Sequence, residues 1–259
     1  MRSVYHNNDM NDKILGLDIG GTKIRAILWD GKRVVKEKEK KTPKKRAVFI
    51  KTLRDLIARF GNGGGSSGKL KIGIGIAGAV SGRKVIFSPN IKYLKNFDLK
   101  NLLTSDVHSL TIDVGRPKIK LDNDARCFLR AEINASAFLR KKRVLGLTLG
   151  TGIGRAFAKN GKVLKIKKFE YPEKWEREYQ KIRDLKNNPL LADFLAKKLP
   201  ALFGKYPPDI MVISGGVLKR KNFAGLLRSV LRKNGFKKKI LETKMGQNPV
   251  AIGAALLFE

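Results

Sequence analysis

Two short segments rich in glycine and threonine contain residues suited to holding phosphate groups. They are Gly20-Gly21-Thr22, which Lys23 follows, and Gly150-Thr151-Gly152. Successive backbone amides in such turns converge on an anion, glycine permits close approach, and the threonine hydroxyls add donors. A structural hairpin explains one such turn equally well, so the inference depends on there being two at matching places. Neither segment has the Gly-x4-Gly-Lys-Ser/Thr spacing of a P-loop.

Carboxylates lie beside the first of these segments and at one further place in the chain. Asp18 directly precedes the first glycine turn, where it would either hold Mg²⁺ beside bound phosphates or cap the turn. Asp122, Asn123 and Asp124 lie between a predicted strand and a predicted helix, so one of them must cap that helix. In the functional interpretation, Asp124 is a general base near a substrate hydroxyl and Asn123 orients the neighbouring groups. Phosphoryl transfer needs such a base together with a metal and donors around the phosphate.

Both glycine turns lie inside the same local pattern of a strand, a tight turn and a second strand. Residues 14–28 and 144–158 are rich in β-branched and other apolar residues around the turn. When the first segment is shifted by 130 positions onto the second, six of fifteen positions are identical. Such a repeat predicts two related α/β lobes, and a cleft between them is a natural ligand site.

The rest of the chain supplies further strands and helices to both lobes. Hydrophobic periodicity and turn residues predict strands at 33–38, 70–80, 118–121 and 209–216, and helices at 48–60, 123–138, 190–203, 223–233 and 248–258. We place the N-terminal lobe at residues 1–117 and the C-terminal lobe at residues 118–247. The terminal helix, residues 248–259, is expected to pack back on the first lobe.

The composition limits the class of protein. The 259 residues include 56 Lys and Arg against 22 Asp and Glu, a net charge of +34, and 42% are hydrophobic, which is too many for a disordered basic tail. One cysteine, Cys127, and two histidines exclude a disulfide framework and Cys- or His-rich metal sites. No apolar run reaches the length of a membrane span and the N-terminus has no signal-peptide core, so we expect a cytoplasmic protein without a membrane partner.

The positive charge favours anionic partners without choosing among them. It is spread along the chain, and the sequence contains no zinc finger, basic zipper or RNP-type pattern, so a nucleic-acid partner is possible but not favoured. Solvated basic faces and a polyanionic substrate are the alternatives.

Five motifs, taken in order, resemble the ROK family of sugar kinases. They are DIGGTK (18–23), GIGIAGAV with FSPN (73–90), LDNDA (121–125), LGLTLGTGIG (145–154) and VISGGV (212–217). The resemblance runs from residue 13 to the end of the chain. It implies an α/β, two-lobed actin-like ATPase fold of the ribonuclease H-like kind, in which each lobe is a mixed sheet flanked by helices. It also implies ATP- and Mg²⁺-dependent phosphotransfer to a hydroxyl of a sugar or related small molecule.

The resemblance also implies roles for the matching residues. Both glycine turns, with Lys23, grip the ATP phosphates, and Asp124 is the catalytic base. Adenosine is expected to lie against Gly215, Gly216 and Val217. The residues expected on the sugar side are Ala77, Gly78, Asn90, Asn123 and Asp124. Dimers are common among relatives, so a homodimer is possible.

The chain departs from the family pattern on the acceptor side. Relatives have a Glu-x-Gly-His segment after the second turn and then zinc-binding cysteines, and both are missing here, so no zinc site is expected. Glu170 is the best substitute for the missing sugar-binding carboxylate and Glu173 the second choice; the alternative is that they are ordinary charged residues. Arg126 stands where the family often has Asn.

The sequence therefore predicts an ATP-dependent sugar kinase whose acceptor is undetermined. Two rival hypotheses stand beside it. One is a sugar kinase that uses polyphosphate as the donor. The other is a non-catalytic nucleotide-binding or nucleic-acid-associated protein of the same fold.

Overall fold

The computed structural model describes residues 13–61, 70–105, 117–202, 204–246 and 248–259. The two histidines, His6 and His108, and Phe203 at the end of a predicted helix lie outside these residues. The strands are β1 (Ile14–Ile19), β2 (Lys23–Trp29), β3 (Val34–Lys41), β4 (Lys71–Ile76), β5 (Ala79–Ser81), β6 (Lys84–Phe87), β7 (Phe97–Asp98), β8 (Lys118–Asn123), β9 (Val144–Leu149), β10 (Ile153–Lys159), β11 (Lys162–Leu164), β12 (Ile210–Ser214) and β13 (Lys239–Glu242). The α-helices are α1 (Arg46–Gly61), α2 (Leu99–Ser105), α3 (Asp124–Ala135), α4 (Ala137–Arg140), α5 (Glu176–Asp184), α6 (Asn188–Leu202), α7 (Phe223–Lys233) and α8 (Pro249–Ala255). Short 3₁₀ helices lie at Lys92–Leu94, Lys167–Glu170, Gly216–Lys219 and Leu256–Phe258.

Two five-stranded sheets with the same strand order form the frame of the molecule. The first has the order β3-β2-β1-β4-β8 and the second the order β11-β10-β9-β12-β13, while β5, β6 and β7 form a smaller sheet. In each large sheet three antiparallel strands come first along the chain, and the next strand pairs in parallel with the first of the three. This arrangement confirms the two-lobed α/β fold and explains the sequence repeat, since residues 14–28 and 144–158 form equivalent hairpins.

Each large sheet has its own hydrophobic core. On β1, the alternating residues Leu15, Leu17 and Ile19 pack with Phe49 and Leu53 of α1, because successive side chains of a strand point to opposite faces. The equivalent strand β9 packs at its alternating leucines against helices α6 and α7. No α-helix in the described parts of the chain combines the length and the apolar character needed to cross a bilayer.

Strand β8 corrects the predicted boundary between the lobes. It pairs in parallel with β4, so the first sheet continues to residue 123, whereas the sequence prediction began the second lobe at residue 118. The strand reads KIKLDN, a short mixture of charged and apolar residues with no local signal for the sheet that it joins. The boundary placed after residue 117 therefore removes one strand from the sheet to which it is hydrogen-bonded.

The helix predicted over residues 123–138 is divided at Ser136. Helix α3 ends at Ala135, and Ser136 has the extended backbone angles φ −137° and ψ 105°. Its side-chain oxygen accepts a hydrogen bond from the Leu139 amide at 3.3 Å and so caps α4. At the other end, Asn123 is the N-cap, so Asp124 is the first residue of α3.

The C-terminal helix α8 lies against α3 and against β1 and β4 of the first sheet. Pro249 begins the helix at a position where a missing amide is tolerated. Gly253 faces the main chain of α3, and a Cβ atom there would overlap the carbonyl oxygen of Cys127. The two helices therefore approach each other backbone to backbone at this glycine.

Gly253→Ala is expected to destabilise the protein by about 2–3 kcal/mol, because α3 and α8 must separate to admit the methyl group. Thermal unfolding should then show a melting temperature lower by at least about 4 °C. Gly225→Ala is the matched control, since Gly225 lies on the exposed side of α7 with no atom within 4 Å of an added Cβ. That variant should gain up to about 1 kcal/mol from helix propensity. A Gly253→Ala protein as stable as the wild type would contradict the close contact.

Candidate active site

A cleft of about 290 Å³ between the two lobes collects most of the residues singled out in the sequence. The predicted residues that line it are Asp18, Gly20, Gly21, Thr22, Lys23, Ala77, Gly78, Asn90, Asn123, Asp124, Gly150, Thr151, Gly152, Glu170 and Gly215. The cleft is also lined by residues that sequence reasoning missed, among them Thr148, Phe169, Tyr171, Pro172 and Glu176.

Gly216 and Val217, predicted to contact adenosine, are described by the structure but are not among the lining residues of this cleft. Val217 is 4% exposed and its side chain packs in the core of the second sheet, so the predicted adenosine contact at this residue stays a prediction that only its main chain could meet. Gly215, two residues before Val217, has a left-handed conformation with φ 114°. An added Cβ at Gly215 would overlap the carbonyl oxygen of Leu149. Glycine is therefore required where β12 leaves the sheet at the cleft.

The first glycine turn connects β1 to β2 and is fixed from two sides. The Gly20 amide donates to the Lys23 carbonyl at 3.0 Å, which closes the hairpin. From the end of β3, the Thr42 hydroxyl donates to the Gly20 carbonyl at 2.6 Å. Gly21 touches Asn90 so closely that an added Cβ would overlap the Asn90 side chain. The first glycine turn is therefore in direct contact with Asn90, a residue predicted to lie on the sugar side.

The second glycine turn is held by helix α5. The Gly150 carbonyl accepts hydrogen bonds from the Tyr179 hydroxyl at 2.9 Å and from Arg183 Nη1 at 3.1 Å. The Thr151 carbonyl accepts from Arg183 Nη1 at 2.6 Å and from Gln180 Nε2 at 3.2 Å. Since donors occupy these carbonyl oxygens, the turn presents little negative charge to an incoming anion. The charge of Arg183 is itself paired with Asp184 at 2.7 Å.

Asn123 and Asp124, where β8 meets α3, have separate roles. Asn123 caps α3 by accepting from the Arg126 amide at 3.1 Å, and its Nδ2 donates to the Gly78 carbonyl at 2.9 Å and to Asp124 Oδ1 at 3.1 Å. Asp124 Oδ1 also accepts from the Ala125 amide at 2.8 Å. Asn123 thus fixes the orientation of the Asp124 carboxylate, which faces the cleft.

Burial shifts the protonation of both cleft carboxylates, Asp18 and Asp124. Desolvation and then the negative charge of Asp124 raise the pKa of Asp18 to about 7, although Arg25 and Lys23 partly oppose this. Desolvation also raises the pKa of Asp124, against the lowering effect of its hydrogen bonds from backbone amides and from Asn123. The two groups therefore share a region that favours a bound cation or proton.

This carboxylate pair fits Mg²⁺ at its Asp18 side. Among residues 13–61, 70–105, 117–202, 204–246 and 248–259, no cluster of three or more His, Cys, Asp or Glu suited to a metal is found. Mg²⁺ needs no such cluster, because it is commonly held by one or two carboxylates together with water and substrate phosphates. Asp18 at the edge of the first glycine turn supplies a carboxylate of that kind.

Glu170 lines the cleft from the 3₁₀ helix Lys167–Glu170 and is 7% exposed. Its Oε1 accepts a hydrogen bond from Arg126 Nη1 of α3. The next residue, Tyr171, stacks on Phe87 of the first lobe with 5.8 Å between ring centroids. The segment around Glu170 therefore closes one end of the cleft and touches both lobes.

A second buried arginine, Arg155, holds the rest of this segment. It is 2% exposed, and its guanidinium pairs with Glu173 at 2.7 Å and donates to the Tyr171 carbonyl. Glu176 accepts from the Glu173 amide at 2.9 Å and from the Ile153 amide, beside the second glycine turn, at 3.2 Å. Glu173, the second choice for a sugar ligand, is thus an ion-pair partner of Arg155. It is not among the residues that line the cleft.

The sequence is similar to curated sugar kinases over part of their length. It is 34% identical to an N-acetyl-D-glucosamine kinase of Yersinia enterocolitica over 152 residues, which are 58% of this chain and 47% of that protein. An N-acetyl-D-glucosamine kinase of Shigella flexneri is 31% identical over 157 residues, 60% of this chain and 48% of that protein. The chain thus spans about half the length of the curated relatives it matches.

The structure is similar to solved ROK proteins over nearly its whole length. A ROK family glucokinase from Streptomyces griseus, solved in complex with glucose and AMPPNP, has a TM-score of 0.76 at 19% identity, covering 95% of this chain and 98% of that one. An inorganic polyphosphate/ATP-glucomannokinase from Arthrobacter has a TM-score of 0.75 at 22% identity with the same coverage. At these identities the likeness concerns the fold. The family model described as ROK family matches residues 14–166, more than half of the chain, so this protein is a member of the ROK family with the two-lobed actin-like ATPase fold.

Proposed function

We propose that this protein is an ATP-dependent kinase that phosphorylates a hydroxyl of a sugar or a related small molecule. The observation that carries the proposal is that Asp124 and both glycine turns line one cleft. A phosphate-binding module without chemistry has no need of a desolvated carboxylate held in place by Asn123 beside its phosphate turns.

The two turns supply the phosphate-binding surface. Gly20, Gly21 and Thr22 come from the first lobe and Gly150, Thr151 and Gly152 from the second, so a triphosphate would lie between them. Lys23 lies at the same end and pairs with Glu39 at 2.9 Å while half of its side chain stays exposed, which leaves the ammonium within reach of a phosphate. Adenosine would lie beyond the second turn, toward Gly215 and Gly216.

Asp124 acts as the general base. The acceptor hydroxyl gives its proton to the Asp124 carboxylate as its oxygen attacks the γ-phosphorus, and the bond to the bridging oxygen breaks to release ADP. The raised pKa of Asp124 suits this role, because a base works best when its pKa lies closer to the working pH. Closure of the lobes would keep water out of the cleft during transfer.

Asp18 would hold Mg²⁺ beside the phosphates. When bound, Mg²⁺ neutralises part of the charge that develops on the transferred phosphoryl group. Without a cation, Asp18 and Asp124 disfavour each other's charge and would repel a triphosphate.

The acceptor would lie between Asp124 and the segment that carries Glu170. Gly78, Asn90 and Glu170 face this end of the cleft, with Ala77 beside them. Because the matched relatives are named N-acetyl-D-glucosamine kinases, that sugar and glucose are the first acceptors to test.

The test is ADP release by the purified chain with MgATP and a panel of hexoses and N-acetylhexosamines. We expect release that depends on one or more sugars, and a phosphorylated product by mass spectrometry. Polyphosphate in place of ATP tests the rival donor, which the basic composition favours. Absence of sugar-dependent turnover with either donor, together with salt-sensitive nucleic-acid binding, would support the non-catalytic hypothesis instead.

Gly21→Ala is expected to raise the KM for both ATP and the sugar by about tenfold or more, because the turn must move away from Asn90 and small displacements in an active site have large effects. Gly150→Ala is the comparison, since an added Cβ there has no protein atom within 4 Å. It should leave the melting temperature and the sugar KM unchanged and raise only the KM for ATP. Initial rates over a matrix of both substrates measure the two effects, and equal behaviour of the two variants would count against the shared contact.

A further inference from the structure

A chain of four buried or half-buried charges runs from the first sheet to the acceptor end of the cleft. Arg130 Nη2 donates to Asp122 Oδ2 at 2.6 Å, and Arg126 Nε donates to Asp122 Oδ1 at 2.6 Å. Arg126 Nη1 then donates to Glu170 Oε1. The chain thus links the end of β8, two turns of α3 and the 3₁₀ helix of the second lobe.

Arg126 is the member that connects the catalytic helix to the acceptor wall. It lies two residues after Asp124 on α3, and it is 5% exposed. Its guanidinium is held on one side by Asp122 and on the other by Glu170. A buried arginine paired at both ends has a fixed position, so Glu170 is held to the same helical turn that presents Asp124.

The pairing occupies one side of the Glu170 carboxylate. Within the described residues, Arg126 is the only side chain that forms a hydrogen bond or ion pair with Glu170. Glu170 nevertheless lines the cleft, so Oε2 is left to accept a hydrogen bond from a ligand. Its negative charge, however, is already balanced by the guanidinium.

We propose that Arg126 is a positioning residue that sets acceptor specificity through Glu170, an inference that rests on the proposed kinase function. It aims Glu170 Oε2 at a hydroxyl or amide hydrogen of the acceptor, and it cancels the carboxylate charge there. A neutral acceptor is therefore recognised by geometry, and an acceptor bearing an ammonium group gains no ion pair at this wall. The same sugar as its free amine should be the poorer substrate.

The experiment compares N-acetyl-D-glucosamine with D-glucosamine, at a pH where the amine is protonated, in wild type and variants. In Arg126→Gln the Asn123 cap persists, because it uses the Arg126 main-chain amide. We expect the KM for the neutral sugar to rise about tenfold, with the KM for ATP unchanged. The ratio of kcat/KM for the amine to that for the neutral sugar should rise at least about tenfold, because Glu170 is then an unbalanced charge. Arg126→Lys should restore most of the wild-type ratio.

Arg130→Gln is the matched control, because it breaks the same chain on the far side of Asp122 without touching Glu170. It should change the ratio much less than Arg126→Gln does, even if the protein is less stable, because Arg126 still pairs directly with Glu170. Glu170→Gln should also raise the KM for the neutral sugar without favouring the amine, and adding Arg126→Gln to it should change the ratio no further. This double variant contains no unpaired buried charge at the Arg126–Glu170 pair, so it remains informative if Arg126→Gln alone fails to fold.

The outcomes separate this inference from the proposed function. Wild-type protein without sugar-dependent ADP release contradicts the kinase proposal and this inference with it. Active wild type in which Arg126→Gln and Arg130→Gln have the same ratio contradicts the inference alone. An unchanged sugar KM in Glu170→Gln also contradicts it, whatever the fate of Arg126→Gln.

Discussion

Asp124→Asn is expected to lower kcat by about 10²–10⁴-fold, the range expected when a general base is removed. The substitution should leave the fold intact. In the wild type the Ala125 amide donates to Asp124 Oδ1 at 2.8 Å, and an Asn side-chain oxygen can accept the same hydrogen bond. The start of α3 and the Asn123 cap would persist. The KM values for ATP and sugar should change little, since neither glycine turn is altered.

Steady-state ADP release and thermal unfolding of the same preparation measure this prediction. Asp193→Asn is the control, because Asp193 forms only an exposed pair with Lys197 on α6 at 2.7 Å. It removes the same charge outside the cleft and should keep kcat within a factor of two or so, as expected of surface changes. If Asp124→Asn retained turnover within a few-fold of the wild type while folding normally, Asp124 would not be the base.

Local patterns made much of the fold and one side of the site predictable. The strand, glycine turn and strand around Gly20 recur around Gly150, and both signals lie within fifteen residues. A hairpin is recognised from residues adjacent in sequence, so the two equivalent hairpins and the glycine-turn residues that line the cleft could be predicted. Asn123 and Asp124 were found in the same way, because a cap and a first-turn carboxylate are neighbours.

The part of the cleft around Glu170 depends on contacts between residues far apart in sequence. Arg126 and Glu170 are 44 positions apart, and nothing near either one shows that they pair. Glu170 and Glu173 lie in one short segment of similar composition, so the sequence could not separate the residue facing the cleft from the one paired with Arg155. One signal was available: Arg155 stands among apolar residues inside its strand, as does Arg25 at the equivalent place in the repeat. Each arginine pairs with a glutamate, Arg25 with Glu39.

Asp18→Asn is expected to stabilise the protein in metal-free, ligand-free buffer while reducing its activity. The pKa of Asp18 is raised from 3.8 to about 7 in the folded state, first by burial and then by the charge of Asp124. Between these values the unfolded chain is ionised and the folded protein still holds the proton. Stability therefore falls as pH rises from 4 to 7, and above pH 7 the full penalty of a buried charge is present. Asparagine carries no charge and avoids this penalty.

The gain in Asp18→Asn at pH 8 should be about 1–2 kcal/mol, less than the full shift implies, because Asp18 is only half-buried and solvent screens part of the effect. That corresponds to a melting temperature higher by about 2–8 °C in EDTA, and the difference should vanish near pH 4. Asp30→Asn, the same change at the next turn, should have the opposite sign, since hydrogen bonds from Arg33 and Lys32 lower the pKa of Asp30. In the kinase assay, losing the Asp18 carboxylate should raise the Mg²⁺ concentration needed for half-maximal rate by at least about tenfold. If Asp18→Asn melts no higher than the wild type at pH 8, burial of the Asp18 charge does not cost stability. If it keeps the wild-type Mg²⁺ requirement, Asp18 is not a ligand of the metal.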